Sequence, residues 1–461
     1  MDFRPHAYQQ HCIDAILEHT SLALWLEMGL GKTVITLTAL ERLLYDTFEV
    51  NKALIIAPKR VAEATWQDEA ERWNHTQHLR ISTILGTAAQ RARAAEADAD
   101  IYIVNRENTK WLVDHFGRAW PYDTVVIDEA TSFKSHKAQR FKALKSVRPH
   151  IHRVIELTGT PQPRDPLDLW AQVYLLDQGE RLGRYFSHYR QDWFVPDKRN
   201  ATQVFSWKPA PGAEAQIRDA LRDICISLRA ADHLELPELI TDDIPVKLDA
   251  KAEETYRRME QQYLLEVDGE TVTAQQAAAL TNKLLQLCNG SVYDATHTAH
   301  EVHACKLEAF SELIEALDGQ KALVFYAFEF DAASLSAELE KSHKGLKMAF
   351  LRGPEEARAW NNGEIDVLLA QPASCAYGLN LQHGGHHVIW YSLPWSLEYY
   401  AQANARLYRQ GQKQPVIVHR LLVKGGEDER VAAALERKDT TQAALMEAIK
   451  ARVKRAKEAV K

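Results

Sequence analysis

The chain has 461 residues, 46% of them hydrophobic and 26% charged, with a net charge of −7. That balance excludes a disordered chain, a collagen-like repeat and a disulfide-stapled scaffold, and at roughly 150 residues per domain it predicts about three units or two large ones. No run of 18 apolar residues occurs, so no membrane-spanning helix is expected. Five scattered cysteines (Cys12, Cys225, Cys288, Cys305 and Cys375) suit reduced thiols. The opening residues lack the charged-then-apolar pattern of a secretory signal, so a cytoplasmic location is expected. The acidic balance argues only weakly against a nucleic-acid partner, because a basic groove can sit on an acidic body.

Short apolar runs predict strands buried on both faces. In chain order they are 53–57, 101–104, 125–127 and 154–157, then 322–326, 367–369, 388–391 and 416–418. Helical patterns lie between them, as over 61–73, where Trp66, Ala70 and Trp73 share a face. Strand alternating with helix means α/β with parallel sheets. About 160 residues between the two series read as mostly helical, with Tyr256, Met259, Tyr263 and Val267, then Ala277, Leu280, Leu284 and Leu287, at helical spacing. The breakpoints are Lys208-Pro-Ala-Pro-Gly212 and Leu236-Pro237. The expected architecture is two α/β lobes in tandem joined by helical material. Lobe one covers 1–230, with a helical protrusion near its end. Lobe two covers 231–461, preceded by a helical linker and ending in a basic helix.

The sharpest chemical feature is Glu27-Met-Gly-Leu-Gly-Lys-Thr33. Gly29 and Gly31 let the backbone turn so that consecutive N–H groups face phosphate oxygens. Met28, Leu30 and the two glycines would form the cradle, Lys32 would bridge the β- and γ-phosphates, and Thr33 would offer its hydroxyl to Mg²⁺. Leu26 stands where the strict pattern has its first glycine, and a plain glycine-rich helix cap is the competing reading. The run 125–127 supplies the complement, a buried strand ending in Asp128 and Glu129 at the edge where α/β sheets bind ligands. Asp128 would hold Mg²⁺ and Glu129 would polarise the attacking water. Two carboxylates at a helix start are the bland alternative.

With these motifs the chain resembles helicase superfamily two, and within it the Swi/Snf-type ATPases, over nearly its whole length. Phe3-Arg-Pro with Gln9 looks like the adenine-reading Q motif, which implies nucleotide contacts from Arg4 and Gln9. Ile55-Ile-Ala-Pro-Lys59 with Trp66, Val104-Asn-Arg-Glu-Asn108 and Leu157-Thr-Gly-Thr-Pro161 are similar to motif Ia, the segment after it and motif III. In the second lobe Leu323-Val-Phe-Tyr326 and Gly378-Leu-Asn-Leu381 resemble motifs IV and V. Gln402-Ala-Asn-Ala-Arg-Leu-Tyr-Arg-Gln-Gly-Gln412 is a close match to the Swi/Snf motif VI. Leu284-Leu-Gln-Leu-Cys288 and Lys306-Leu307 match positions peculiar to that branch. The resemblance implies two RecA-like lobes, ATP and Mg²⁺ as ligands, and nucleotide contacts from Gly378 and Gln402. It also implies catalytic roles for Arg406 and Arg409, which would share a face at i, i+3 if their stretch is helical.

The resemblance further implies DNA, double-stranded by the family's habit, as the partner. Lys59, Arg60, Asn105 and Thr160 would face the sugar-phosphate backbone, and Trp395 would lie against a strand. Core packing is an equal reading of Trp395. Departures are Thr131 in place of the family's histidine, one arginine at Leu228-Arg229-Ala230, and a short 353–365 segment. The absence of long insertions suggests a compact bacterial or phage form. His297, His300, His303 and Cys305, with Cys288 nearby, are potential zinc ligands, though a polar connector fits their spacing better. The function expected is an ATP-dependent translocase on double-stranded DNA. The alternatives are a strand-separating helicase on branched intermediates and a nucleotide-gated DNA clamp with little hydrolysis.

Overall fold

Parallel strands covered by helices on both faces must be apolar throughout, and the inner strands here obey that rule. Every residue of Ala53–Ala57 and of Ile101–Asn105 is buried. The structure, a computed structural model, describes residues 1–159, 166–197, 204, 206–229, 232–233, 236–266, 274–375, 379–437 and 451. The chain divides into two units, Met1–Glu235 and Leu236–Lys461.

The first unit is built on a seven-stranded, all-parallel sheet. Its strands are β1 (Ser21–Leu26), β2 (Ala53–Ala57), β3 (Ile81–Ile84), β4 (Ile101–Asn105), β5 (Thr124–Asp128) and β6 (Arg153–Thr158). A small antiparallel ribbon of β7 (Phe194–Pro196) and β8 (Trp207–Pro209) precedes the last strand, β9 (Cys225–Leu228). The order across the sheet is β3-β4-β2-β5-β6-β1-β9. One consequence governs the chemistry. Strands β5, β6 and β1 are neighbours, so the segments leaving their C-terminal ends emerge side by side although they lie far apart in sequence.

The second unit carries a six-stranded parallel sheet. It begins with β10 (Leu239–Val246), then, after an antiparallel ribbon of β11 (Ser291–Tyr293) and β12 (Ala299–Glu301), come β13 (Ala322–Phe325), β14 (Met348–Phe350), β15 (Val367–Ala370), β16 (His387–Trp390) and β17 (Val416–Val423). The order is β10-β17-β16-β13-β15-β14. Helices Ala250–Glu266, Ala274–Asn289 and Cys305–Ala316 occupy the stretch read as helical. That stretch is not free of strands, however. β9 closes one edge of the first sheet and β10 one edge of the second, and neither is an apolar run. Beyond Arg437 the basic C-terminal stretch lies outside the described residues, apart from 451. Among the described residues no helix is long and apolar enough to cross a membrane.

A buried polar knot ties the second unit together. Lys306 is fully buried, and its ammonium donates to Asn289 Oδ1 at 3.0 Å and to the equally buried Asp428 at 2.7 Å. Asn289 in turn donates to Asp331 and to Ser392. Asp331 also accepts from Ser392 Oγ at 3.0 Å and from the backbone N–H of Phe328 at 2.9 Å. Three helices and the segment after β16 are thereby locked to one ammonium.

Candidate nucleotide site

In the first unit the phosphate loop leaves β1 and enters helix Lys32–Tyr45. Gly29 and Gly31 have φ of 89° and 78°, the left-handed region that favours glycine. A side chain at Gly31 would also meet Gln9 Nε2 at 2.7 Å. The helix N-terminus adds N–H groups that suit an anion. Lys32 Nζ donates to the carbonyl of Leu26 at 2.8 Å. The missing first glycine is thus harmless, since Leu26 contributes a backbone oxygen while its side chain is buried. Gln9, itself buried, donates to the Leu30 carbonyl at 3.4 Å and accepts from the His6 N–H at 2.9 Å. Tyr8 donates to the same carbonyl at 3.3 Å. In this state the glutamine amide braces the loop.

Asp128 ends β5, and its Oδ2 accepts from the indole N–H of Trp66 at 3.1 Å. Trp66 is fully buried and follows a π-helical turn, Val61–Thr65, a local rewinding often found at functional sites. Burial raises the Asp128 carboxyl above the usual carboxylate range, against the pull of the Lys32 ammonium and the Trp66 N–H. Glu129 takes φ 57° and ψ 60°, an uncommon conformation for a bulky residue. Its carboxylate accepts from Thr131 Oγ1 at 3.0 Å. The threonine that departs from the family's histidine therefore touches the glutamate beside it. After β6, a side chain at Gly159 would lie 3.1 Å from Met28 Cε and 3.7 Å from Lys32 Nζ. The three strand-end segments meet. Thr33 is half-buried, and its hydroxyl with the Asp128 carboxylate makes a hard oxygen donor set of the kind Mg²⁺ takes.

The residues assigned to DNA are placed unevenly. Lys59 is exposed, with Glu63 at 3.8 Å, and Arg60 is half-buried at the start of the π-helical turn. Asn105 is only 5% exposed, and its amide is committed to Glu107 at 2.8 Å and Asn108 at 2.6 Å. It braces its own loop, so the expectation that it faces a DNA backbone is not how the structure places it. Arg4 is exposed, while its neighbour Phe3 packs on Trp73 and His75. Thr160 lies outside the described residues.

In the second unit helix Leu397–Asn404 ends before the arginine pair. Arg406 and Arg409 therefore do not share a helical face, and the i, i+3 expectation is corrected. Both instead hold the segment 379–380: Arg406 donates to the Leu379 carbonyl at 3.3 Å and Arg409 to the Asn380 side chain. Gln412 extends the clasp to the carbonyls of Gln382 and Gly385 at 3.1 and 3.0 Å. Gln402 is buried, donates to Glu398 at 3.1 Å, and its Oε1 has no hydrogen-bond partner among the described residues. Gly378 lies outside the described residues. Trp395 is half-buried, packed against both apolar clusters of the unit, with its indole N–H buried and lacking an acceptor among the described residues. The histidine-cysteine cluster is dispersed on the β11–β12 ribbon. His300 pairs with Asp294 at 2.8 Å, His303 bonds the Leu287 carbonyl at 2.9 Å, and no group of three metal-ligating side chains occurs among the described residues.

Sequence inspection missed the Trp66–Asp128 bond and the Lys306 knot. A lone tryptophan and a lone lysine carry no local signal of either.

Comparison with known proteins places its own division further along the chain, between residues 291 and 305. The family model described as SNF2-related domain matches residues 8–291, and that described as helicase conserved C-terminal domain matches 305–411. A protein named p41, of Acyrthosiphon pisum secondary endosymbiont phage 1, is 37% identical over 460 residues, covering 97% of this chain and 99% of the phage protein. An uncharacterized ATP-dependent helicase of Mycoplasma genitalium, MG018, is 24% identical over 89% of this chain, which spans only 39% of that protein. Among solved structures, the Sulfolobus solfataricus SWI2/SNF2 ATPase core in complex with dsDNA aligns over 98% of this chain and 94% of its own at 21% identity, with a TM-score of 0.46.

Proposed function

This chain belongs to the SNF2-related family, and on that premise we propose that it is an ATP-driven motor that moves along double-stranded DNA without parting the strands. One observation carries the chemistry: the segments after β1, β5 and β6 meet, with Lys32, Asp128 and Gly159 around one spot. The chain is a DNA-dependent ATPase of the helicase type. The N–H groups of the 29–33 loop receive the β- and γ-phosphates, and Lys32 exchanges the Leu26 carbonyl for a phosphate oxygen. Thr33 and Asp128 would hold Mg²⁺, which would supply neutralisation of the phosphate charge. Glu129 orients the attacking water. Arg406 and Arg409 neutralise charge that develops on the transferred group. Arg4, Gln9, Gly378 and Gln402 complete nucleotide recognition, Gln9 by releasing Leu30.

Lys59, Arg60 and Thr160 are assigned to the sugar-phosphate backbone, contacts that supply grip without sequence preference, as movement along DNA requires. Trp395 is assigned to packing within its unit rather than to a wedge between strands. The test has two arms. Phosphate release should rise several-fold on adding blunt duplex, and ATP should drive displacement of a third strand from a triplex. Unwinding of a simple forked duplex at a comparable rate would overturn the translocase reading in favour of a helicase, and DNA binding without turnover would favour a clamp.

A further inference from the structure

Six of the chain's 56 Lys and Arg residues, and none of its 63 Asp and Glu residues, fall within 134–148. The segment leaves the C-terminal end of β5 and forms helix Gln139–Val147. Three of its cations have internal roles. Arg148 is buried and donates to the carbonyls of Ile151, Leu175 and Leu176. Lys134 lies 3.6 Å from Asp168, and the Lys145 ammonium sits 4.1 Å from the centre of the Tyr174 ring.

The other three, Lys137, Arg140 and Lys142, form no salt bridge among the described residues. Neither does Arg190, on the later helix Phe186–Trp193, whose guanidinium rests 4.7 Å from the Trp207 ring. Lys137, Lys142 and Arg190 converge around His136. His136 stacks on Phe186 at 3.9 Å and so joins the two helices. The His136 imidazole is held below its ordinary range by burial first, then by the charges of Lys137, Arg190 and Lys142. At the start of the second helix Tyr185 stands 64% exposed.

Two arginines elsewhere in the unit show the contrast. Arg80 is matched by Asp98 and Asp100 at 2.6 and 2.7 Å, and Arg181 by Asp177 and Asp223. Clustered cations without carboxylates repel one another, and on a chain of net charge −7 they mark the place where a polyanion can land.

We propose that Lys137, Arg140, Lys142 and Arg190 form an accessory surface that grips the phosphate backbone of duplex DNA outside the segment held by Lys59 and Arg60. The inference rests on the motor reading and adds a second hold on the same track. Exposed cations contact phosphates without reading sequence, and each contact releases counterions.

The experiment measures binding of a long duplex by the full chain as a function of salt, for the wild type, for Lys137→Gln with Lys142→Gln, and for the arginine pair Lys137→Arg with Lys142→Arg. Losing two phosphate contacts should make the slope of log affinity against log salt shallower by about 1.8. Affinity near physiological salt should fall roughly tenfold, while ATPase at saturating DNA stays within about twofold of wild type. The arginine pair should restore the wild-type slope. An unchanged slope in the glutamine pair overturns the proposal and leaves a solvated helix face. A wild type that hydrolyses ATP but does not bind duplex overturns it as well. Duplex binding without hydrolysis would sink the motor reading alone, and the slope would still decide this surface.

Discussion

The phosphate loop of the first unit and the arginine segment of the second both hold a cation on a backbone carbonyl. Lys32 rests on Leu26 and Arg406 on Leu379. The likeness stops there. Lys32 has the Asp128 carboxylate beside it, and each side chain lowers the cost of burying the other. Arg409 is tied to a neutral amide on Asn380. On the proposed reading Lys32 and Asp128 act as a pair on bound nucleotide, whereas Arg406 and Arg409 act as charge develops in the transition state. Loss of Lys32 should therefore damage binding and chemistry together, whereas loss of an arginine should damage chemistry alone.

The largest expected effect is that of Lys32→Ala. The variant should show no DNA-stimulated phosphate release above background and weakened nucleotide binding, because the Asp128 carboxyl loses its counter-charge. Retained turnover would break the comparison at its first term. Next comes Arg409→Ala, and Arg406→Ala beside it, each lowering kcat by about a thousandfold, the scale of an arginine finger. Fluorescent-nucleotide affinity should stay within about twofold of wild type, the pattern of an interaction made chiefly in the transition state. If both variants instead lose thermal stability while turnover per folded molecule persists, the arginines only clasp 379–380.

The buried knot of the second unit sharpens the contrast further, since its charges face one another within the core of that unit. Lys306→Ala leaves Asp428 and Asp331 without their ammonium and should cost about 3–5 kcal/mol of folding stability. Burial already raises the Asp331 carboxyl to about 6, against hydrogen bonds from Phe328 and Ser392. Its unfolded value is about 3.9, so the folded chain holds that proton more tightly and the contribution of this group to stability falls as pH rises from about 4 to about 6. Without Lys306 the Asp331 carboxyl is pushed higher still, and the deficit of the variant should be greatest at neutral pH and shrink toward pH 5. Denaturant midpoints of the full chain across that range check the sign. A deficit that does not change with pH would mean that Lys306 acts by packing.

What was legible in the sequence follows from how each feature is encoded. The inner strands and the 29–33 loop are local signals, an apolar run or glycines beside a lysine, and both lobes follow from their order. The edge strands are different. β10 reads Leu239-Ile-Thr-Asp-Asp-Ile-Pro-Val246 and leaves most of its residues exposed, so burial writes no pattern into it. The first strand, β1, follows a helix after only His19 and Thr20, with no glycine or proline to mark the break. Arg406 and Arg409 were legible as residues and not as geometry, because a helix ending at Asn404 or at Arg409 has the same local sequence support. Asn105 looks like a surface amide by spacing, and only Glu107 and Asn108 folding back on it reveal a brace.

Trp66 is the finest test, because its bond to Asp128 links residues 62 positions apart that no periodicity connects. Phenylalanine at this site keeps the ring in the core and removes only the donor. A hydrogen bond to a charged group contributes about 1.5–3 kcal/mol, so its loss should raise the Asp128 carboxyl further and raise the half-saturating Mg²⁺ concentration about tenfold. The sign is definite: a higher value leaves less carboxylate at neutral pH, so the acid limb of the pH-rate profile should move upward. Extra Mg²⁺ or a higher pH should restore most of the turnover, since both favour the ionised, metal-holding form. If Trp66→Phe instead lowers kcat by the same factor at every pH and Mg²⁺ concentration, the indole acts through packing and Asp128 is held by Lys32 alone. Equal Mg²⁺ dependence with unchanged kcat would go further and show that the strand end positions Asp128 by itself.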